Sequence, residues 1–358
     1  MSRALLFGAV AAALLAAPAL PRAAAVGEAA GAADASPTSP SDDGIARLRF
    51  AWPPDARARV THRRTRSGPG GETSTFTARY ETRIEAAASG LRVVTRDTSW
   101  GGDLPCPQGL AREAIRASEA VVQQIGANGE FAGLEGVEPM RAVLARVFDA
   151  AHVPPEAAGR AVPLAEAAMR AEAEELWNLA VGFWTGADLK VGARYALASQ
   201  GEIPLLPGAR AGQAVEFAIR RRVPCSAAER APRCVEATLR STPDRAALDR
   251  AADALLARLL PADAPRPKAG AEELSAESEL VLVTDPETLL PRRLVWTTAV
   301  RLGGAARGPP AAERVDRAEY DYRWLPAEPP PRPPRRRRTP APARPLPPPE
   351  VGPRADAR

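Results

Sequence analysis

Few side chains in this sequence are of the types that carry chemistry. There are two histidines, His62 and His152, and three cysteines, Cys106, Cys225 and Cys234. His62 lies in a strand-like run among arginines, and His152 follows a helical pattern. Neither has a second histidine, a cysteine or a carboxylate cluster at metal-ligand spacing, so both read as ordinary histidines and no metal site or cofactor is expected. No glycine-rich phosphate loop follows a strand, no G-x-S-x-G elbow occurs, and calcium loops of the D-x-D-x-D-G type are missing. Carboxylates are plentiful, so an Asp/Glu pair of the kind that hydrolyses glycosides stays open, but nothing selects one pair. The acidic residues Glu166, Glu172, Glu174 and Glu175 read as the solvated face of a long helix. The reading is therefore of a protein that is not an enzyme.

Cys225 and Cys234 stand nine positions apart between two strand-like runs, in RRRVPCSAAERAPRCVEATLR. A hairpin there brings the sulfurs together, and in an oxidising compartment they pair as a disulfide. Cys106 is left over. The compartment follows from the start of the chain, MSRALLFGAVAAALLAAPALPRAAA. Arg3 gives a positive start, 4–20 an apolar stretch, and Ala23-Ala24-Ala25 small residues for cleavage, so 1–25 reads as a signal peptide. The protein is expected to be exported, to the periplasm or beyond. No later stretch approaches a transmembrane length.

The elements that must position any site are mostly strands. In 279–302 two apolar runs flank Asp285-Pro286, a turn set by local Asp hydrogen bonding and a fixed proline φ. In the second run Leu294, Trp296, Thr298, Val300 and Leu302 share one face, against Arg293, Thr297 and Arg301 on the other. The run 73–86 alternates as cleanly, with Phe76, Ala78, Tyr80, Thr82 and Ile84 on one face. Further strands are expected over 47–52, 57–66, 91–100, 193–199, 214–223, 235–241 and 313–324, the last with Ala318, Tyr320, Tyr322 and Trp324 on one face. Asn128-Gly129 marks a hairpin between 120–125 and 130–134. Helices are expected over 138–150, with Pro139 in its first turn and Pro154-Pro155 ending the segment, and over 164–184. A third starts at Thr242-Pro243-Asp244, the Thr242 hydroxyl as N-cap and Leu248, Ala252, Leu255, Leu256 and Leu259 as its buried stripe.

Residues 26–43 read as a disordered leader, 44–324 as one domain and 325–358 as a disordered Pro/Arg-rich tail. The tail carries eight arginines against three acids, net +5, which equals the formal +5 of the whole chain. The rest is therefore neutral overall, and the basic pI says nothing about a folded surface. Arg335, Arg336, Arg337 and Arg338 could meet an anionic envelope polymer. Nucleic-acid binding is not expected, since no aromatic residues interleave that run.

Two stretches carry a resemblance. Ala127–Leu144, ANGEFAGLEGVEPMRAVL, resembles the strand, Asn-Gly, strand, Gly, helix element of secreted bacterial proteins of unknown function. Thr284–Thr298, TDPETLLPRRLVWTT, is similar to the Asp-x-x-Thr-x-x-Pro hairpin of periplasmic lipoprotein-carrier-like half-barrels. The resemblance implies an α+β fold: a large curved antiparallel β-sheet, half-barrel-like, with about three helices packed on or in its concave face, binding lipid or acyl chains. Trp177, Phe183, Trp184, Trp296, Tyr320 and Tyr322 are the candidate lining of such a concavity; packing of helix on sheet is the other reading of these rings. The function expected is a non-enzymatic exported protein binding an apolar ligand. Its alternatives are an envelope interaction protein acting through the tail, and a hydrolase using an unrecognised carboxylate pair.

Overall fold

The computed structural model describes residues 44–68, 71–103, 107–203, 206–250, 274–302 and 312–326. The fold is α+β, built on one open antiparallel sheet of eleven strands. Its strands in chain order are β2 (Arg57–Ser67), β3 (Thr73–Ala87), β4 (Gly90–Gly102), β5 (Val122–Gly126), β6 (Phe131–Glu135), β8 (Arg194–Ile203), β9 (Leu206–Val223), β10 (Cys234–Pro243), β11 (Leu274–Thr284), β12 (Pro291–Leu302) and β13 (Ala312–Trp324). A two-stranded ribbon pairs β1 (Ile45–Arg47) with β7 (Asp188–Lys190). In space the order is β6-β5-β4-β3-β2-β13-β12-β11-β10-β9-β8. The chain starts in the middle, walks out to β6, crosses by helices to β8, and walks back until β13 pairs with β2.

Alternation explains the strands. On β3, Ala78, Thr82 and Ile84 are buried while Arg79, on the other face, is exposed. On β12, Leu294, Trp296 and Thr298 are buried as expected, and Val295 and Ala299 are buried on the opposite face. Register breaks in β3–β4, β9–β10 and β11–β12 add local twist and bend the sheet. The Asp285 turn forms as read: its carboxylate accepts the Glu287 amide at 3.0 Å. At the Asn128-Gly129 hairpin, Gly129 has φ +85°, and an added Cβ would lie 2.6 Å from the Phe50 ring. That close approach, as much as the turn, requires glycine.

The helices are α1 (Ala111–Ala120), α2 (Glu138–Ala150) and α3 (Pro155–Trp177), the last running into a π-helical turn, Asn178–Gly182. Helix α2 has the expected bounds. Helix α3 starts nine residues before the expected Leu164, because Pro155 opens the next helix instead of closing the previous segment. Helix α1 was not expected; its buried stripe is only Ala114 and Ala117. Past β10 the Asp244 carboxylate, not the Thr242 hydroxyl, caps the helical residues 245–250, accepting the Ala247 amide at 2.9 Å. Pro243 belongs to the strand, and Leu248 is buried. Ala252, Leu255, Leu256 and Leu259 lie outside the described residues, as do residues 1–43, Cys106 and the tail from 327 on. Among the described residues no helix is long and apolar enough to cross a membrane.

The main core sits on the inner face of the sheet. Val60, Ile219, Leu280, Leu282 and Leu294 face Leu48, Leu179, Val181 and Trp184. Of the expected strand 47–52 only Arg47 pairs as strand; Leu48 to Trp52 runs as an irregular ribbon, held by Arg49 N–H to Pro286 O (2.9 Å) and Ala51 N–H to Thr288 O (3.2 Å). Cys225 and Cys234 form the expected disulfide, Cα atoms 5.0 Å apart, joining the ends of β9 and β10.

Candidate functional site

The inner face of β2 carries Val60, His62, Arg64 and Arg66 in steps of two, and β13 sets Tyr322, Tyr320, Ala318 and Asp316 opposite them. Strand pleating thus turns three basic side chains toward the core side, where only apolar residues would be cheap. They are matched there. Arg64 grips Asp316 with two parallel bonds, Nε to Oδ1 at 2.8 Å and Nη2 to Oδ2 at 2.9 Å. Its remaining Nη1 donates to Glu172 of α3 at 2.8 Å, and Arg66 Nε reaches Asp316 Oδ2 at 3.1 Å. The side chains of Arg64 and Asp316 are 13% and 5% exposed.

Burial works to raise the Asp316 carboxyl, but the bonds and charges of Arg64 and Arg66 outweigh it and hold the group below its ordinary value. For Glu172 the balance is opposite: burial lifts its carboxyl, and Arg64 offsets this only in part. Burial, with the charge of Arg64, pulls His62 down to about 3, so it is neutral. The His62 ring stacks on Tyr320 at 4.2 Å, and its Nε2 is buried without a hydrogen-bond partner. His152 is unrelated to this cluster. At φ +55° it closes α2, with Val153 N–H bonded to Phe148 O at 3.0 Å, a left-handed helix cap.

The acidic face expected to be solvated is not. Glu175 is 1% exposed, Glu172 binds Arg64, and Glu166 pairs with Arg141 at 2.8 Å; Glu174 alone of the four is exposed. Glu172 turns toward the sheet, where Arg64 meets it.

From Asp316 a row of polar side chains continues across the strands. Thr298, Ser278 and Ser241 follow one another in register. Trp296 Nε1 donates to Ser278 Oγ at 2.7 Å, and Ser241 Oγ to Gln213 Oε1 at 2.8 Å. This seam separates the main core from a smaller cluster of Ala211, Leu248 and Ala276.

Of the six candidate lining residues, Trp177, Trp184, Trp296 and Tyr320 are buried, and Phe183 and Tyr322 are half-buried. Five of them, all but Trp296, fall into two groups of ring contacts. Trp177 meets Trp52 at 4.9 Å, Trp52 meets Trp324 at 5.9 Å, and Tyr322 and Tyr320 continue the stack. Phe183 meets Trp184 at 4.9 Å and Phe217 at 5.0 Å, and Tyr195 stacks on Phe217 at 5.4 Å. The indoles of Trp177 and Trp184 donate to Gly129 O and Leu179 O, each at 2.8 Å. The chain's own Leu48 and Val181 pack in one buried cluster with these rings.

Open space lies toward the β8 edge. One depression of about 1030 Å³ is lined by residues that include Leu197, Ala198, Gly212, Ala214 and Pro243. A second, of about 710 Å³, carries Arg194, Glu216, Arg220, Arg240 and Glu279 and is polar. Neither includes any of the six rings.

Neither a family model nor a curated protein matches the chain. Among solved structures it is similar to one described as "Lipid-protein interactions in lipovitellin", at 10% identity and a TM-score of 0.44. That match covers 78% of this chain and 26% of the other. The chain thus spans about a quarter of the length of the structure it matches.

Proposed function

We propose that the protein is an exported, non-catalytic binding protein that takes up an apolar ligand of the acyl-chain class at the β8–β9 margin of its sheet. The depression of about 1030 Å³ beside Leu197, Ala198 and Ala214 carries this reading. Leu280, Leu282 and Leu294 at the sheet centre are sealed, but Leu197 at this margin stays half-exposed and Ala198 and Ala214 are exposed. An acyl chain laid against them gains roughly 0.8 kcal/mol per buried CH₂. Export rests on the apolar N-terminal stretch, and the disulfide between Cys225 and Cys234 suits an oxidising compartment.

The test is native mass spectrometry and solvent extraction of the full chain purified from a bacterial periplasm. An acyl-bearing adduct that is lost in Leu197→Asp supports the reading. A bare protein that also fails to take up dodecanol sinks it.

A further inference from the structure

We propose that Arg64 and Arg66 form an oxyanion seat on the inner face of the sheet, that Glu172 of α3 fills it as an internal stand-in, and that α3 lifts to let a phosphate or carboxylate take its place. This goes beyond the apolar-ligand reading and stands without it.

The seat is built into the sheet. Asp316, on the neighbouring strand, holds the Arg64 guanidinium through two bonds and so aims its remaining nitrogen, Nη1, away from β13 toward α3. A planar guanidinium pinned on one edge presents the geometry that recognises a carboxylate or phosphate on the other. Arg66 and Arg314 share the inner face of the same strand pair, and Asp316 is the carboxylate the sheet itself sets among them. His62, two residues along the same face, has its buried Nε2 without a partner.

The helix that supplies Glu172 is held down lightly. Through residues 155–174 only Ala165 is buried; Val162 and Met169 are half-exposed, and Leu164 is 67% exposed. Its hydrogen bonds to other elements over that span are polar anchors: Glu166 to Arg141, Arg170 to Leu134 O at 3.2 Å, and Glu172 to Arg64. A helix docked by few buried apolar contacts belongs to the low-stability part of a fold. Pro154 precedes it, Pro155 opens it, Pro163 interrupts its ladder, and the π-helical turn Asn178–Gly182 follows it, a kind of distortion that gathers at functional sites. Glu172 itself is a reluctant tenant: its carboxyl sits above the ordinary value because burial costs more than Arg64 returns.

The experiment is calorimetric titration of the full chain at neutral pH with inorganic phosphate, dodecyl phosphate and dodecanol, alongside hydrogen exchange of α3. Glu172→Gln trades a charge-assisted bond to Arg64 for a neutral one, so its affinity for the phosphate-bearing ligands should rise by about tenfold. Arg66→Gln, at a less buried position, should lower it, and α3 amides should exchange faster in bound wild type. Tightening for both phosphates means a free oxyanion is accepted; tightening for dodecyl phosphate alone assigns the seat to an amphiphile's headgroup. Unchanged affinities in Glu172→Gln, or an equal gain for dodecanol, overturn the proposal. Dodecanol uptake by the wild type bears on the apolar reading only.

Discussion

Replacing Asp316 by asparagine and Glu172 by glutamine should have unequal effects on stability, although both carboxylates bind the same arginine. Asp316 is 5% exposed and accepts three bonds, two from Arg64 and one from Arg66. Breaking a buried pair from one side costs about 3–5 kcal/mol, mostly by stranding the partner charge. Arg64 keeps Glu172, and asparagine retains one accepting oxygen, so Asp316→Asn should lie near the lower end, about 3 kcal/mol. Glu172→Gln keeps an oxygen that can accept from Arg64 and removes a charge that burial disfavours, so it should stay within about 1 kcal/mol of wild type. The assay is urea unfolding at pH 7 followed by tryptophan fluorescence. The Asp316 carboxyl is held below its ordinary 3.8, so its contribution is complete above that value and is lost as pH falls through the lowered one. The gap between wild type and Asp316→Asn should therefore hold from pH 7 to 5 and close in strong acid. Equal costs for the two substitutions, or a cost for Asp316→Asn below about 0.5 kcal/mol, would refute the reasoning, since a pair worth so little is one that water already screens.

Two other outcomes can be checked simply. Reducing the Cys225–Cys234 disulfide, or replacing both cysteines with serine, should cost about 2–3 kcal/mol through loop-closure entropy, read as a lower melting temperature with reductant than without. Gly129→Ala should cost about 1–3 kcal/mol, because alanine at φ +85° is strained and its Cβ meets the Phe50 ring; an unchanged denaturation midpoint would show that Phe50 moves aside freely.

The sheet was legible in the sequence because strands with one wet face repeat every second residue. β3 and β12 could be read to within two residues for that reason. Helix α1 was not, since Ala114 and Ala117 make too faint a stripe to separate from a loop. The cross-strand order could not be read at all: nothing local to 57–66 says that its partner lies beyond residue 311. The ionic cluster left a signal that a face-by-face reading of β2 would have caught. After Ala58 and Val60, the inward positions turn to His62, Arg64 and Arg66, and an inward arginine demands an acid somewhere opposite. On β13 the expected face began at Ala318, two residues short of Asp316. Glu172 departs from the expected solvated face for the complementary reason, since a helix carboxylate turns inward where the neighbouring sheet offers it a cation, while Glu174 stays exposed. Aromatic rings at 177–184 pointed correctly to the interior, but not to the ribbon of Leu48 to Trp52 that shares it.

The pairing of β2 with β13 has a consequence for how the molecule comes into being. Arg64 and Asp316 are 252 positions apart, yet they touch at the midline of the sheet. Each half can assemble as a run of neighbouring hairpins, but the free border of β2 waits, unmated, until β13 arrives. A chain made from its first residue onward must keep that border from sticking to other molecules while β3 to β12 are made. Shortening the protein by its last ordered strand would not trim a margin but would split the sheet along its centre.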